Sequence, residues 1–293
     1  MKIYIIPVEK QFQPNGISHS YPQYNSQYGV EQDIIEYIRN NNLETNQPEN
    51  ADWFYLPIFW TRWHVNHGYA KTGVIELQNY INSLNYNFDK VFTVCQYDDG
   101  AIVNLKGAKV FLSSRKTNEG IDIPLLAREL SEIVDLSTLP KIQERKIFAS
   151  FAGVFRNHPI REKMASSLAG VKDVLLYDGN YGTEHFINLM ANSKIALCPR
   201  GYGGSSFRFY EAMQLGAIPF LIGDIDTRPF KNYIDWNSCS LYLETPDMIK
   251  PFLENITNEK LDKLSHNLPK VWDKIKYGSW GKYVIREIED GVK

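Results

Sequence analysis

The densest chemistry in the 293-residue sequence lies between Asn192 and Asp224, NSKIALCPRGYGGSSFRFYEAMQLGAIPFLIGD. The segment reads as a strand, a Gly-rich loop, a helix and a second strand within about the length of one βαβ unit. Gly201, Gly203 and Gly204 let the backbone approach a ligand closely, and Ser205 or Ser206 suits the N-cap of the following helix. The free N–H groups and positive dipole end of that helix would face the loop, an anion site that suits a diphosphate. Arg208 in the first helical turn and Glu211 one turn on project from one face. A guanidinium there can neutralise a diphosphate bidentately, while the carboxylate accepts hydrogen bonds from the two vicinal hydroxyls of a ribose. The same spacing also describes a solvated ion pair beside an ordinary Gly-rich turn.

Alternating elements must carry these residues. In the first half, apolar runs at 2–8, 51–59, 90–95 and 108–114 read as strands, with helical patterns at 30–40 and 73–84 and a long polar loop over 11–28. The second half repeats the alternation, with strands at 147–152, 173–177, 194–198 and 217–222 and helices at 159–168, 183–192 and 206–215. This predicts an α/β fold of two Rossmann-like domains with parallel sheets. The polar stretch from Asp135 to Lys146 sets the boundary, giving domains 1–140 and 141–293. From Pro246 the pattern is helical to the end, a tail expected to pack across both domains. Neither Gly-x-Gly-x-x-Gly after the first strand nor a P-loop is present, which argues against dehydrogenases and P-loop enzymes.

Composition excludes further classes. A formal net charge of −2 without a dense Lys/Arg block argues against a nucleic-acid partner. Three cysteines without CxxC spacing suggest neither a disulfide framework nor zinc, and fit a reducing compartment. The N-terminal MKIYIIPVEK has too short an apolar run for a signal-peptide core, and nowhere do about 18 apolar residues run together. The expectation is a cytoplasmic protein without membrane insertion.

The segment resembles the signature of the exostosin family of glycosyltransferases. That signature runs from Ser-Lys-Phe-x-Leu-Cys-Pro-x-Gly through Ser-x-Arg-x-x-Glu-Ala to Gly-x-x-Pro-x-x-Ile. It corresponds here to Ser193–Gly201, Ser206–Ala212 and Gly216–Ile222. Weaker echoes lie at 53–59, 91–100, 122–124, 151–161 and 229–241. The resemblance implies a GT-B fold, an inverting mechanism, a nucleotide-sugar donor, usually a UDP-sugar, and a glycan acceptor. Animal and plant members usually carry an N-terminal anchor that this sequence lacks, which suggests a bacterial or viral setting.

Under that reading Arg208 and the helix N-terminus neutralise the departing diphosphate. Arg156 in FAGVFR is the second cation, and Arg200 and Arg161 are in reserve. Asp98 is the expected base, because it follows a strand at a sheet's carboxyl edge and resembles the family's Asp in a His-Asp-x-Gly turn. Asp99 rivals it, His19, His64 and His67 are alternatives, and Asp98-Asp99-Gly100 reads equally as a tight turn. His64 and His67, with Trp60 and Trp63, are expected to line an acceptor cleft in which rings stack on sugar faces, the other reading being an aromatic core. The HxxH pair lacks a third ligand, and Asp224-Ile225-Asp226 follows the donor helix and strand, so no obligatory metal or other cofactor is expected. Two rival functions are a GT-B-like nucleotide-sugar epimerase or phosphorylase, and a catalytically inactive carbohydrate-binding subunit.

Overall fold

The computed structural model describes residues 1–15 and 29–290. They form two compact units: Met1–Arg128 together with Lys276–Lys293, and Glu129–Ile275. The first contains β1 (Ile3–Ile5), α1 (Val30–Asn40), β2 (Glu44–Thr45), β3 (Trp53–Tyr55), α2 (Trp60–Asn66), α3 (Val74–Ser83), β4 (Val91–Cys95), β5 (Lys109–Leu112) and β6 (Ile121–Asp122). Its parallel sheet has the order β2-β1-β3-β4-β5-β6. All five β4 side chains are buried, as an interior parallel strand covered on both faces requires.

The second unit carries β7 (Ile147–Ala152), α4 (Pro159–Leu168), β8 (Val174–Tyr177), α5 (Thr183–Ala191), β9 (Ser193–Pro199), α6 (Phe207–Gln214), β10 (Ile218–Ile222), β11 (Leu241–Leu243), α7 (Ile249–Asn255) and α8 (Asn258–Ile275). Its sheet is parallel throughout, in the order β11-β10-β9-β7-β8. From β7 the chain steps outward to β8, then crosses back and builds β9, β10 and β11 on the other side. The strand order therefore reverses between β7 and β9. In open α/β sheets such a reversal leaves a crevice beyond the carboxyl ends of the two strands, where ligands bind. The α/β class and the two parallel-sheet domains agree with the sequence reading.

The units divide at Arg128/Glu129, earlier than the 140/141 boundary expected from the polar stretch. Side chains explain the difference. Leu130 N–H donates to Gln214 Oε1 at 2.8 Å, and Arg145 reaches the carbonyls of Ser193 at 2.9 Å and Leu215 at 2.7 Å, so residues ahead of β7 are fastened to the second unit. The tail divides between the units. Helix α8 packs on α6 and β10, and α9 (Gly281–Asp290) returns to α1 in the first unit. There Gly278 N–H bonds Asp33 at 2.9 Å, and Gly281 sits so close to the Tyr37 ring that a Cβ would lie 2.4 Å from its Cγ. No helix among the described residues is long and apolar enough to cross a membrane.

Arg145 staples the amino edge of the second sheet. Burial pushes its pKa down to about 10, and its three carbonyl partners (Pro140 at 3.1 Å is the third) take the place of water. Arg145→Ala would leave those carbonyls unpaired, at about 1–3 kcal/mol each before relaxation. Urea unfolding should show the variant less stable by about 3 kcal/mol; an unchanged midpoint would mean that the staple carries no stability.

Candidate active site

The crevice between β7 and β9 is lined by guanidinium groups from two helices. Arg208, in the first turn of α6, donates from Nη2 to the Ala152 carbonyl that ends β7, and its guanidinium lies 4.3 Å from the Phe151 ring centre and 5.4 Å from that of Phe186. Arg161, in the first turn of α4, donates to the carbonyls of Val154 and Arg200, both at 3.1 Å, and so bridges the loops that follow the two strands. It too leans on Phe151, at 5.6 Å. Burial, and after it the positive charge of Arg208, lowers the Arg161 pKa to about 10, which leaves it protonated at neutral pH. A cation in the first turn of a helix opposes the helix dipole. Two such cations close together, both at the positive ends of helices, make a site that an anion relieves.

The loop glycines make room for this arrangement. A Cβ on Gly201 would come within 2.7 Å of Arg161 Nη2, and one on Gly153 within 3.0 Å of Arg208 Nη2. Ser206 stands at the N-cap of α6 with extended backbone, and its side chain makes no capping hydrogen bond. Gly203, Gly204 and Ser205 are buried in the same loop, and the Gly204 carbonyl accepts from the Thr227 hydroxyl at 3.2 Å. Glu211 is buried one turn beyond Arg208. Cys198, at the end of β9, lies within electrostatic reach of Arg208, Glu211 and Arg161. Burial nevertheless drives its thiol up to about 12, so it stays protonated.

The remaining cations fall out differently. Arg200 is buried and paired with Asp224, and its backbone carbonyl is the Arg161 anchor. Arg156 is exposed on the 3-10 turn after β7. Asp226 is held by Arg228 at 2.9 Å, with Lys231 at 3.5 Å. Burial alone would raise its pKa, but the bonds and charge of Arg228 outweigh burial and hold it below the usual carboxylate range. Both carboxylates of the Asp-x-Asp triplet are thus engaged by guanidinium. Among the described residues no group of three or more His, Cys, Asp or Glu side chains could hold a metal.

In the first unit Asp98 is partly exposed just beyond β4, in a turn closed by Gly100 N–H on the Tyr97 carbonyl at 3.0 Å, with Gly100 in the left-handed region at φ 66°. Asp99 is exposed and paired with Lys116. His64 is fully buried in α2; its Nε2 donates to Gly100 O at 2.9 Å and its ring lies tilted against Tyr97, centroids 4.3 Å apart. It supports the turn that bears Asp98. Burial lowers its pKa against the pull of Gly100 and Asp99. His67 turns back onto Trp63, with Nδ1 2.8 Å from the Trp63 carbonyl and the rings 4.6 Å apart, so the HxxH residues diverge.

The acceptor-cleft expectation is corrected for the tryptophans. Trp60 and Trp63 are 0% and 1% exposed and belong to the first unit's core with Leu56, Leu77 and Ile81. Trp60 Nε1 is satisfied internally by Thr93 Oγ1 at 2.9 Å. The core reading covers Trp53 and Tyr55 as well, at 4% and 0%. The cause is that the strand at 51–59 ends at Tyr55, after which the chain turns through Pro57 into α2 and aims both indoles inward. His19 lies outside the described residues.

Two further residues hold the candidate site's elements together. Arg161 carried a signal in sequence, since Pro159 marks the helix start and places a basic residue at the wrong end for the dipole. Glu31 carried none. It is buried at the start of α1, where it accepts from Gln96 N–H at 2.9 Å, Thr61 Oγ1 at 2.9 Å and Thr61 N–H at 3.1 Å, and so ties α1 to α2 and to the loop leading to Asp98. Burial raises its pKa to about 7 against those donors and the charge of Arg62.

An open parallel sheet with a Gly-rich loop, a helix N-terminus and guanidiniums at its switch point is an arrangement in which α/β proteins commonly hold anions. The family model of the exostosin GT47 domain matches residues 66–260, more than half of the chain, and this protein belongs to the exostosin family of glycosyltransferases. Its two parallel α/β units are the make-up of the GT-B class. It is 24% identical to the exostosin-1 homolog of Caenorhabditis elegans over 93% of this chain and 80% of that one. It is 23% identical to probable glucuronosyltransferase 47 A of Physcomitrium patens over 87% of this chain and 65% of that one. The probable beta-1,4-xylosyltransferase IRX10L of Arabidopsis thaliana is 24% identical over 87% and 70%. Among solved structures, a glycosyltransferase involved in avilamycin A biosynthesis aligns over 98% of this chain and 96% of its own at 11% identity and a TM-score of 0.39.

Two measurements test this assignment of the first unit. Trp60→Ala should destabilise the fold by about 3–5 kcal/mol, as truncation of a buried aromatic does, and retained stability with a raised acceptor KM would restore Trp60 to a cleft. For Glu31 the folded pKa of about 7 lies above the unfolded value of 4.5, so its ionisation penalty is absent below 4.5 and complete above 7. The stability difference between the parent and Glu31→Gln should therefore shift against the parent by about 3 kcal/mol as pH rises through that window. A difference independent of pH from 4 to 8 would show that Glu31 titrates normally.

Proposed function

We propose that this protein transfers a sugar from a UDP-sugar to a hydroxyl group of a glycan acceptor with inversion at the anomeric carbon. The observation that carries the reading is the pair of first-turn guanidiniums, Arg161 and Arg208, at the β7/β9 crevice beside Gly201. In this reading the diphosphate binds across the two arginines and the N-terminus of α6, which stabilise the charge that develops as the glycosidic bond breaks. Glu211 takes the ribose hydroxyls. Asp98 removes the acceptor proton as its oxygen attacks, and the UDP leaves as the diphosphate anion.

No metal is required in this scheme. The arginines and helix dipole supply the positive charge a divalent ion would otherwise bring, and Asp226 is already claimed by Arg228. UDP should bind in the presence of EDTA, and a strict requirement for manganese in both binding and turnover would instead assign Asp224 and Asp226 to a metal. Intact Arg208 and Glu211 favour a transferase over an inactive binding subunit.

Binding and chemistry separate in two substitutions. Glu211→Ala should lose charge-assisted hydrogen bonds of about 1.5–3 kcal/mol each and weaken UDP binding by about tenfold or more, with transfer recovering partly at high donor. Asp98→Asn should bind UDP as the parent does and lose about 10²–10⁴ in turnover at every donor concentration. Normal UDP affinity in Glu211→Ala would move the donor site, and full activity in Asp98→Asn would pass the role of base to Asp99.

A further inference from the structure

The first unit shares the strand scheme of the second and fills the corresponding place with a side chain of its own. Its sheet order reverses between β1 and β3, as the other reverses between β7 and β9. Glu31 stands in the first turn of α1, the α-helix after β1, where Arg161 stands in α4. Thr61 is the second residue of α2, the helix after β3, as Arg208 is of α6. The second unit presents guanidiniums there; the first presents a buried carboxylate ringed by donors. That carboxylate accepts from Thr61 N–H at 3.1 Å, Thr61 Oγ1 at 2.9 Å and Gln96 N–H at 2.9 Å. Tyr55, which ends β3, donates from its hydroxyl to the Glu31 carbonyl at 3.3 Å.

These bonds reach the turn that carries Asp98. Buried Gln96 is gripped twice by α1, through its N–H on Glu31 and through its Oε1, which accepts from Val30 N–H at 3.2 Å. Its Nε2 has no hydrogen-bond partner among the described residues, so the grip comes from the α1 side. At the far end of the turn the Gly100 carbonyl accepts from His64 Nε2 at 2.9 Å, and His64 belongs to the same helix as Thr61. Asp98 therefore lies between two fixed points. Glu31 sets one directly, and sets the other by tying α2 to α1. Of the titratable groups that face the carboxylate, Arg62 contributes positive charge, while burial keeps the Tyr55 hydroxyl and the Cys95 thiol protonated.

We propose that Glu31 is the positioning residue of the Asp98 turn, an anion supplied by the chain itself, and that its removal opens a site of the size and charge of a small carboxylate. The catalytic part of this rests on the reading of Asp98 as the base. Truncation to alanine removes Cγ and the carboxylate, which are the heavy atoms of acetate. It leaves Thr61 N–H, Thr61 O–H and Gln96 N–H buried without their acceptor, and a bound acetate ion gives that acceptor back. Glu31→Gln keeps the volume but turns an amide NH2 toward one of those donors, so it preserves packing and displaces the loop.

The test compares the full-length parent, Glu31→Ala and Glu31→Gln above the Glu31 pKa of about 7, in sodium acetate and in sodium chloride of equal ionic strength. Amide hydrogen exchange over residues 96–100 reads the turn, and calorimetric titration with UDP reads the donor site. UDP release from a panel of UDP-sugars with oligosaccharide acceptors reads turnover. In chloride both variants should exchange the Gln96 amide about tenfold faster or more, bind UDP within about twofold of the parent and release UDP about ten- to a hundredfold more slowly. Acetate should restore exchange and release in Glu31→Ala and leave Glu31→Gln, whose site is filled, unchanged. Glu31→Gln should slow the parent but not Asp98→Asn, since a positioning residue then has nothing left to position. Parent-like exchange and release in Glu31→Gln would overturn the proposal. So would acetate that raises the Tm of Glu31→Ala without restoring exchange or release, because Glu31 would then be a stabilising residue only. Full activity in Asp98→Asn, or no UDP release by the parent, would fall on the function proposed above; the exchange and acetate measurements, which need no substrate, then decide alone whether Glu31 holds the turn.

Discussion

Two like charges placed together are the constraint around which the second unit is organised. Arg161 and Arg208 occupy first turns of helices, where the dipole disfavours them, and each disfavours the other. What holds them is acceptor geometry: the Ala152, Val154 and Arg200 carbonyls take their N–H groups, and the Phe151 ring offers both a π face. Gly153 and Gly201 are glycines because those guanidiniums occupy the space a Cβ would need. Such an arrangement costs stability in the absence of an anion and recovers it when one binds.

The sheet provides this by topology. Helices α4 and α6 follow the two strands that flank the order reversal, so their N-termini arrive at one crevice without any special loop design. Strain is managed at the opposite edge, where Arg145 bonds carbonyls from before β7, from β9 and from the end of α6, fixing the far ends of the elements whose near ends carry the site. In the first unit a comparable role falls to Glu31, whose carboxylate gathers α1, α2 and the strand end before Asp98 into one hydrogen-bonded corner. The α2 histidine completes it from below, with its imidazole against the turn.

Much of this was legible in the sequence because it depends on local pattern. The helices at 30–40 and 159–168 and the strand at 147–152 follow from periodicity alone, and the Gly-rich loop and Arg208 stand out by spacing. Edge strands β2, β6 and β11 were not legible, since two or three residues carry no period; their pairing is decided by the neighbouring strand. The tryptophans misled for a different reason. A cluster of aromatic residues next to histidines looks the same in sequence whether the indoles face a cleft or the core, and only the short helix after Pro57 settles their direction. The part played by Arg161 is not legible in sequence because its partners, the Val154 and Arg200 carbonyls, are backbone atoms brought together by the β7/β9 pairing.

A crystal structure of the protein soaked with UDP in EDTA tests the central claim most directly. The expected density places the diphosphate over the β7/β9 crevice, its oxygens within hydrogen-bonding distance of Arg161, Arg208 and the first N–H groups of α6. Diphosphate bound elsewhere, or a metal ion between it and Asp224 or Asp226, would contradict the account.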